Sequence, residues 1–440
     1  MTAEVAIINK SAVVLAADSA VTISSGSSHE KIFDSEDKLF ELSNRNHIGV
    51  MINGDLDFME TPLSVLIKRY RKRAGNYKRV SSGARQFLKF LSDFGADASD
   101  LTKKKLVRFT LRSEFEKIKD RVERQVVERV IDSDQSDKYK EIEDFGERAR
   151  QIRADLYSEM ISVLEAWVRK FPDAEFVGGN DVEFTGNDLD AIREERELQL
   201  PGIDERQAAR VDELGKSILK KAGFGSSITG LVFAGYGSED LFPTLVPFTI
   251  HGVVGDRLKI SRGEVIDIDR AGEKARVVPF AQSEMVERFL YGVDEQIVRS
   301  ITSFARDGIR QIRNAILDAL EMSDEDRAEL EGDARQAEQA FLDGLGEKGF
   351  DAIRGKSRAE IEGMVEFMPK AEMARMAEAL VNLTSIKRRV SVGMETVGGP
   401  IDVAVISQSE GFVWVKRKHY FAPEINHRFF ERMRTRIGQG

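Results

Sequence analysis

The chain opens MTAEVAIINKSAVVLAADSAVT, and the residues that could do chemistry stand near its start. Thr2 precedes a short apolar run, EVAIINK. Asp18 closes a second run, AVVLAADSA, sixteen residues after Thr2. Most chains spend a few loose residues before their first ordered element, so a strand that starts at residue 2 implies that the terminus itself is used. Lys31 in KIF, Lys38 in KLFEL and Gly54 in HIGVMINGD follow in the next strand-like runs. Taken singly, each has a plainer reading. Asp18 is then a turn residue, Lys38 a solvated edge-strand lysine that discourages aggregation, and Gly54 turn chemistry. Other chemistries are less well supplied. The chain has no cysteine, which excludes a cysteine nucleophile, thiolate zinc sites and disulfides. Its five histidines are scattered without an H-x-x-x-H pair. GLGEKG (344–349) lacks the G-K-[ST] ending of a phosphate loop.

The elements that must position these residues change texture along the chain. Residues 3–55 read as short apolar strands bounded by turns. From Phe58 to about Gly223 the sequence is helical and charged. Leu111, Phe115, Ile118, Val122 and Val126 repeat at three and four, one face of a helix. DLYSEMISVLEAWVRKF stops at Pro172, VGGNDVEFTGND reads as a loop or short hairpin, and one further charged helix is expected over 186–222. Strands return at 228 in SITGLVFAGYG, TLVPFTIHGVVGDRLKISRGEVIDIDR and KARVVPFAQS, and a helix follows from about Ser283. Residues 293–366 are helical and charged. MPKAEMARMAEALVNL carries Pro at its first turn, where the missing N–H costs little, and an apolar stripe of Met373, Met376, Ala377, Leu380 and Leu383. GGPIDVAVIS and GFVWVK close as a strand pair. Two antiparallel sheets with helices outside them would bury every apolar strand.

Four stretches together resemble the proteasome β-subunit fold of the N-terminal nucleophile (Ntn) hydrolases, with its HslV-type and Anbu-type bacterial relatives. They are TAEVAIINKSAVVLAADSAVT, KLFELSNRNHIGVMINGD, LVFAGYGSEDLFPTLVPFTI and GGPIDVAVISQSEGFVWV. They stand in the family's order along the chain. The spacing from Thr2 to Asp18 is the family's spacing from nucleophile to aspartate. The resemblance implies an α+β chain folded as an αββα sandwich. Its core parts would be 2–57, 226–292 and 367–420. Helical insertions would occupy 58–225 and 293–366, and 421–440 would be a C-terminal tail.

By the same resemblance, Thr2 becomes the nucleophile of a threonine-type peptidase once Met1 is removed. A hydroxyl is a poor nucleophile at neutral pH and needs a base. The freed α-amine, with a pKa near ~8, can take the proton directly or through a water. Lys38, with Lys31 as the competing choice, would hold that amine's pKa down and stabilise the alkoxide. Asp18 would pair with the lysine. Gly54 would offer a backbone N–H to the oxyanion, beside Asn53 where the family usually has alanine. The family's serine near the nucleophile falls on Ser283 or Gln282. Its supporting acid has no aspartate here, which leaves Glu395 or Ser391. Two other expectations stand beside this one: a catalytically silent scaffold of the same fold, and a small-molecule amidase with the same nucleophile.

The resemblance implies no metal or organic cofactor. It implies a peptide or unfolded-protein substrate, a homo-oligomer, and an ATP-dependent unfoldase as a further partner. A net charge of −9 argues against a general nucleic-acid binder, and the basic stretch IKRYRKR (67–73) reads as a helix end. No apolar run approaches the ~20 residues of a membrane span, and the first 20 residues show no secretory pattern. The expected location is the cytoplasm.

Overall fold

The computed structural model describes residues 2–25, 29–43, 47–131, 139, 142, 144–225, 228–269, 272–390 and 398–431. The chain begins with β1 (Ala3–Asn9), β2 (Ala12–Ala17), β3 (Val21–Ser25), β4 (His29–Phe33), β5 (Leu39–Glu41), β6 (His47–Gly54), β7 (Asp57–Phe58) and β8 (Thr61–Pro62). Helices α1 (Leu63–Arg71), α2 (Val80–Ala96), α3 (Asp100–Ile131) and α4 (Phe145–Val168) come next, then β9 (Glu175–Phe176), α5 (Gly186–Gln199) and α6 (Glu205–Lys220). The middle strands are β10 (Thr229–Tyr236), β11 (Thr244–Val254), β12 (Arg257–Arg262), β13 (Ile266–Asp267) and β14 (Ala275–Ala281). They lead into α7 (Glu284–Tyr291), α8 (Glu295–Ala319), α9 (Asp324–Gly344), a π-helical stretch at Leu345–Asp351, α10 (Ala352–Val365) and α11 (Lys370–Arg389). β15 (Asp402–Ser407) and β16 (Gly411–Lys416) follow, and a 3-10 turn at Pro423–Ile425 comes after them.

The fold is α+β with antiparallel sheets. One sheet runs β14-β1-β2-β15-β16, and the other runs β5-β6-β10-β11-β12-β9, with β13 paired to β11. Alternation along the strands decides what each face meets. Ala6 and Ile8 of β1, Val13 and Leu15 of β2 and Ile406 of β15 share one apolar cluster with Leu39, Met51, Val232 and Leu245 of the second sheet. The odd-numbered residues Val5 and Ile7 face the other way, onto α7, α10 and α11 through Leu290, Val365, Met373 and Ala377. The outer face of the second sheet, with Val50, Ile52 and Phe233, is covered by Leu66 and Tyr70 of α1 and Phe87 and Leu91 of α2. In the stripe expected on α11, Met373, Ala377 and Leu380 are buried, whereas Leu383 is exposed and Val381 takes its place inside.

The first helical region divides in two. Helices α1 and α2 form the layer over the second sheet, and α3 to α6 build a core of their own around Phe115, Ile118, Leu156, Ile161, Ile192 and Leu214. Within that core the single helix expected over 186–222 is two helices. Pro201 and Gly202, the latter at φ +87°, interrupt it, and Asp204 restarts the chain as an N-cap that accepts from the Gln207 N–H. The buried Glu195 carboxylate fastens α5 to α3 through Arg108 at 3.0 Å and Arg112 at 2.9 Å. Lys259 of β12, also buried, donates to the Phe224 carbonyl at 2.6 Å beyond the end of α6; burial pulls its ammonium down to about 7. No helix among the described residues is long and apolar enough to cross a membrane.

Candidate active site at the first strand

The site begins with a charge pair that has no contact with water. The Lys38 ammonium donates to Asp18 Oδ1 at 2.6 Å, and both side chains are fully buried. Removing two ions from water costs several kcal/mol each, and their attraction offsets this only where the remaining donors and acceptors are filled. Here three backbone groups supply further partners. Lys38 also donates to the Ala20 carbonyl at 2.7 Å. Asp18 Oδ1 accepts the Ala3 N–H at 3.2 Å, and Oδ2 accepts the Gly398 N–H at 3.0 Å. The pair therefore ties together the start of β1, the end of β2, the entry to β5 and the approach to β15.

Of the two lysines, Lys38 is the one joined to Asp18. Lys31 lies in β4, paired with Ile23 of β3, in a two-stranded hairpin between β2 and β5.

Thr2 is one residue from this pair and 3% exposed. Its carbonyl accepts the Gln282 N–H at 3.0 Å, which continues the β1–β14 ladder past Ala3 and Ala281. Ala281 reaches this point with φ +60°, an uncommon backbone conformation for a residue with a side chain. The Thr2 hydroxyl is buried without a hydrogen-bond partner. Gln282, the residue after Ala281, is buried, and its amide oxygen accepts from Arg388 at 2.5 Å. Ser283, the other residue expected to support Thr2, instead donates its hydroxyl to Glu287 on its own helix at 2.6 Å. Ser391 and Glu395 lie outside the described residues.

Gly54 ends β6 opposite Thr229 of β10. Its φ is +78°, and an added Cβ would sit 2.1 Å from the Ile228 carbonyl oxygen, so this turn accepts only glycine. Asn53 has room because its neighbour across the sheet is Gly230, where a Cβ would lie 2.2 Å from the Asn53 amide oxygen. That amide approaches Glu4.

Glu4 was not among the residues expected from the sequence. It is 1% exposed, and neither carboxyl oxygen completes a hydrogen bond. Residues two apart on a strand share a face, so Glu4 and Thr2 point together into the space between the sheets. Burial pushes the Glu4 carboxyl up to about 8. Lys38 pulls it partly back, Asp18 adds to the rise, and the nearby Asn53 and Thr2 side chains lower it slightly. The available signal was a single acid inside TAEVAIIN, a strand otherwise apolar throughout. Chemically the site offers an enclosed hydroxyl, a protonated carboxyl beside it and a fixed ammonium. No group of His, Asp and Glu among the described residues could hold a metal ion. No protein-family model, curated protein or solved structure matches the chain.

Two stability measurements follow from this geometry. Lys38→Met strands the Asp18 carboxylate and is expected to cost ~3–5 kcal/mol in chemical denaturation. Adding Asp18→Asn to that variant should recover part of the loss, as expected when the cost is an unpaired buried charge. For Glu4, the folded state holds a proton that the unfolded chain releases near pH 4.5. Stability from this group is therefore present below pH 4.5 and lost as pH rises to about 8. Glu4→Gln should gain on the natural protein across that window, and its advantage should level off above it.

Proposed function

We propose that the chain is a threonine-type amide hydrolase of the Ntn class, built on an αββα sandwich and acting on peptide or unfolded-protein substrates. The observation that carries this reading is the buried Lys38–Asp18 pair fixed one residue from Thr2. Met1 removal converts the Thr2 backbone nitrogen into an amine. That amine takes the hydroxyl proton as the oxygen attacks the substrate carbonyl carbon, and later returns it to the leaving nitrogen. The Lys38 ammonium favours the alkoxide by its charge, and Asp18 holds Lys38 in place. Gly54, at the positive-φ turn after Asn53, would supply the oxyanion donor.

The order of layers, with helices outside two facing antiparallel sheets, supports the sandwich assignment. Assembly into a homo-oligomer that screens the site, service by an ATP-dependent unfoldase and a cytoplasmic location belong to the same proposal. A silent scaffold of the same fold is the second reading. The observation in its favour is that Thr2 is 3% exposed in the full chain.

Hydrolysis of a panel of fluorogenic peptides by the processed protein separates the two. Thr2→Ala should lower the rate on any responsive peptide by ~10³-fold or more, to background. Thr2→Ser, which keeps a hydroxyl, should retain part of it. A rate unchanged in Thr2→Ala overturns the assignment. Absence of hydrolysis from protein with a free Thr2 amine favours the scaffold.

A further inference from the structure

Thr2 Oγ1 and both carboxyl oxygens of Glu4 are buried and complete no hydrogen bond, and the Thr2 side chain is near enough to act on the Glu4 carboxyl. Buried polar groups are hydrogen-bonded in the great majority of cases, and the adjoining pair obeys that rule completely. Isolated buried atoms elsewhere, such as Glu114 Oε2 and His251 Nδ1, also lack partners; at this site the exceptions are the hydroxyl proposed as nucleophile and one acid on the same strand face. A buried, unpartnered carboxyl costs free energy, and a glutamine, an alanine or a valine would fit the apolar run with less penalty.

We propose that Glu4 is a proton acceptor for Thr2, a second base that acts on the hydroxyl independently of the α-amine. The proposal rests on Thr2 being the nucleophile. In the step it describes, the Thr2 Oγ1–H bond breaks and the proton moves to a Glu4 carboxylate oxygen. The electron pair left on Oγ1 forms the bond to the substrate carbonyl carbon. When the intermediate collapses, the same proton passes to the leaving group, and the Glu4 carboxylate is restored. No oxidant, reductant or metal is required.

An ordinary carboxylate is too weak a base for a hydroxyl, whereas a base whose pKa lies near the working pH is effective. Burial moves Glu4 in that direction. The titratable and charged groups that reach it are Asp18, at the end of β2, and Lys38, at the entry to β5. The residues opposite it in the sheet, Ala17 on β2 and Phe280 on β14, are uncharged, as is Asn53 on β6. Removal of Met1 adds the Thr2 amine to this set, so the two bases titrate as a coupled pair.

A β-lactone is a suitable probe because it acylates a hydroxyl without needing an amine. The rate at which intact mass reports one acyl group on Thr2 is followed against pH for the natural chain, Glu4→Gln and Thr2→Ala. An infrared titration of the carboxylic-acid carbonyl band runs in parallel. The expected result is a natural-chain rate that rises through the same midpoint as loss of the infrared band. Glu4→Gln should lack that band and label at least tenfold more slowly at the plateau, and Thr2→Ala should not label. If the natural chain labels and Glu4→Gln matches it in rate and pH profile, or if the two midpoints differ, Glu4 is not the base, and the Thr2 nucleophile stands. If the natural chain never labels at Thr2, the nucleophile assignment fails and takes this inference with it. A folded Glu4→Gln, established by its melting curve, keeps the comparison valid.

Discussion

The ion pair between Lys38 and Asp18 constrains the rest of the site. Two charges sit where water does not reach, and such a pair is tolerated only when its remaining hydrogen-bonding capacity is met. Meeting it requires the Ala3 and Gly398 N–H groups and the Ala20 carbonyl at fixed positions. Those three groups come from segments far apart in the chain. The pair thus sets how the first strand begins, how the second ends and how the last strands approach. Thr2, one residue before Ala3, has little freedom left once these bonds are made. The bonds that hold the backbone next to Thr2 are the same bonds that stabilise the ion pair.

Glu4 and Asp18 are two carboxyl groups in one buried neighbourhood with opposite settings. Asp18 accepts from an ammonium and two backbone N–H groups. Glu4 completes no hydrogen bond and is pushed toward the protonated form. The two acids thus differ in how far their hydrogen-bonding capacity is met. The difference follows from position. Asp18 lies at a strand end where backbone donors converge, and Glu4 lies inside a strand whose own N–H groups are spent on the ladder.

Much of this was legible in the sequence. Short apolar runs between turn residues read as buried strands, and the sheets contain them: EVAIINK, AVVLAA, HIGVMING and DVAVIS all lie inside. Asp18 was legible from its spacing of sixteen residues from Thr2, and Lys38 from the KLFEL run rather than from any spacing. Nothing local distinguishes Lys38 from Lys31; the difference is that KLFEL leads into a core strand and KIF into a separate hairpin. Glu4 carries no local signal of its role, because one acid in an apolar strand does not say which face it takes or that β1 is internal, flanked by β2 and β14. The division of the first helical region was hidden for a different reason. Helices that cover a sheet and helices that pack on one another carry the same periodicity, and only tertiary contacts tell α2 from α3. The break at Pro201 and Gly202 was visible as residue types, but charge on both sides concealed it.

The central claim is that Thr2, freed of Met1, is a nucleophile with its own amine beside it. Intact-protein mass spectrometry after incubation with a peptide epoxyketone tests it most directly, because that reagent closes its ring adduct only on an adjacent hydroxyl and free amine. The account predicts a mass lacking Met1 and carrying one adduct that maps to Thr2. A protein that keeps Met1 and gains no adduct would contradict it.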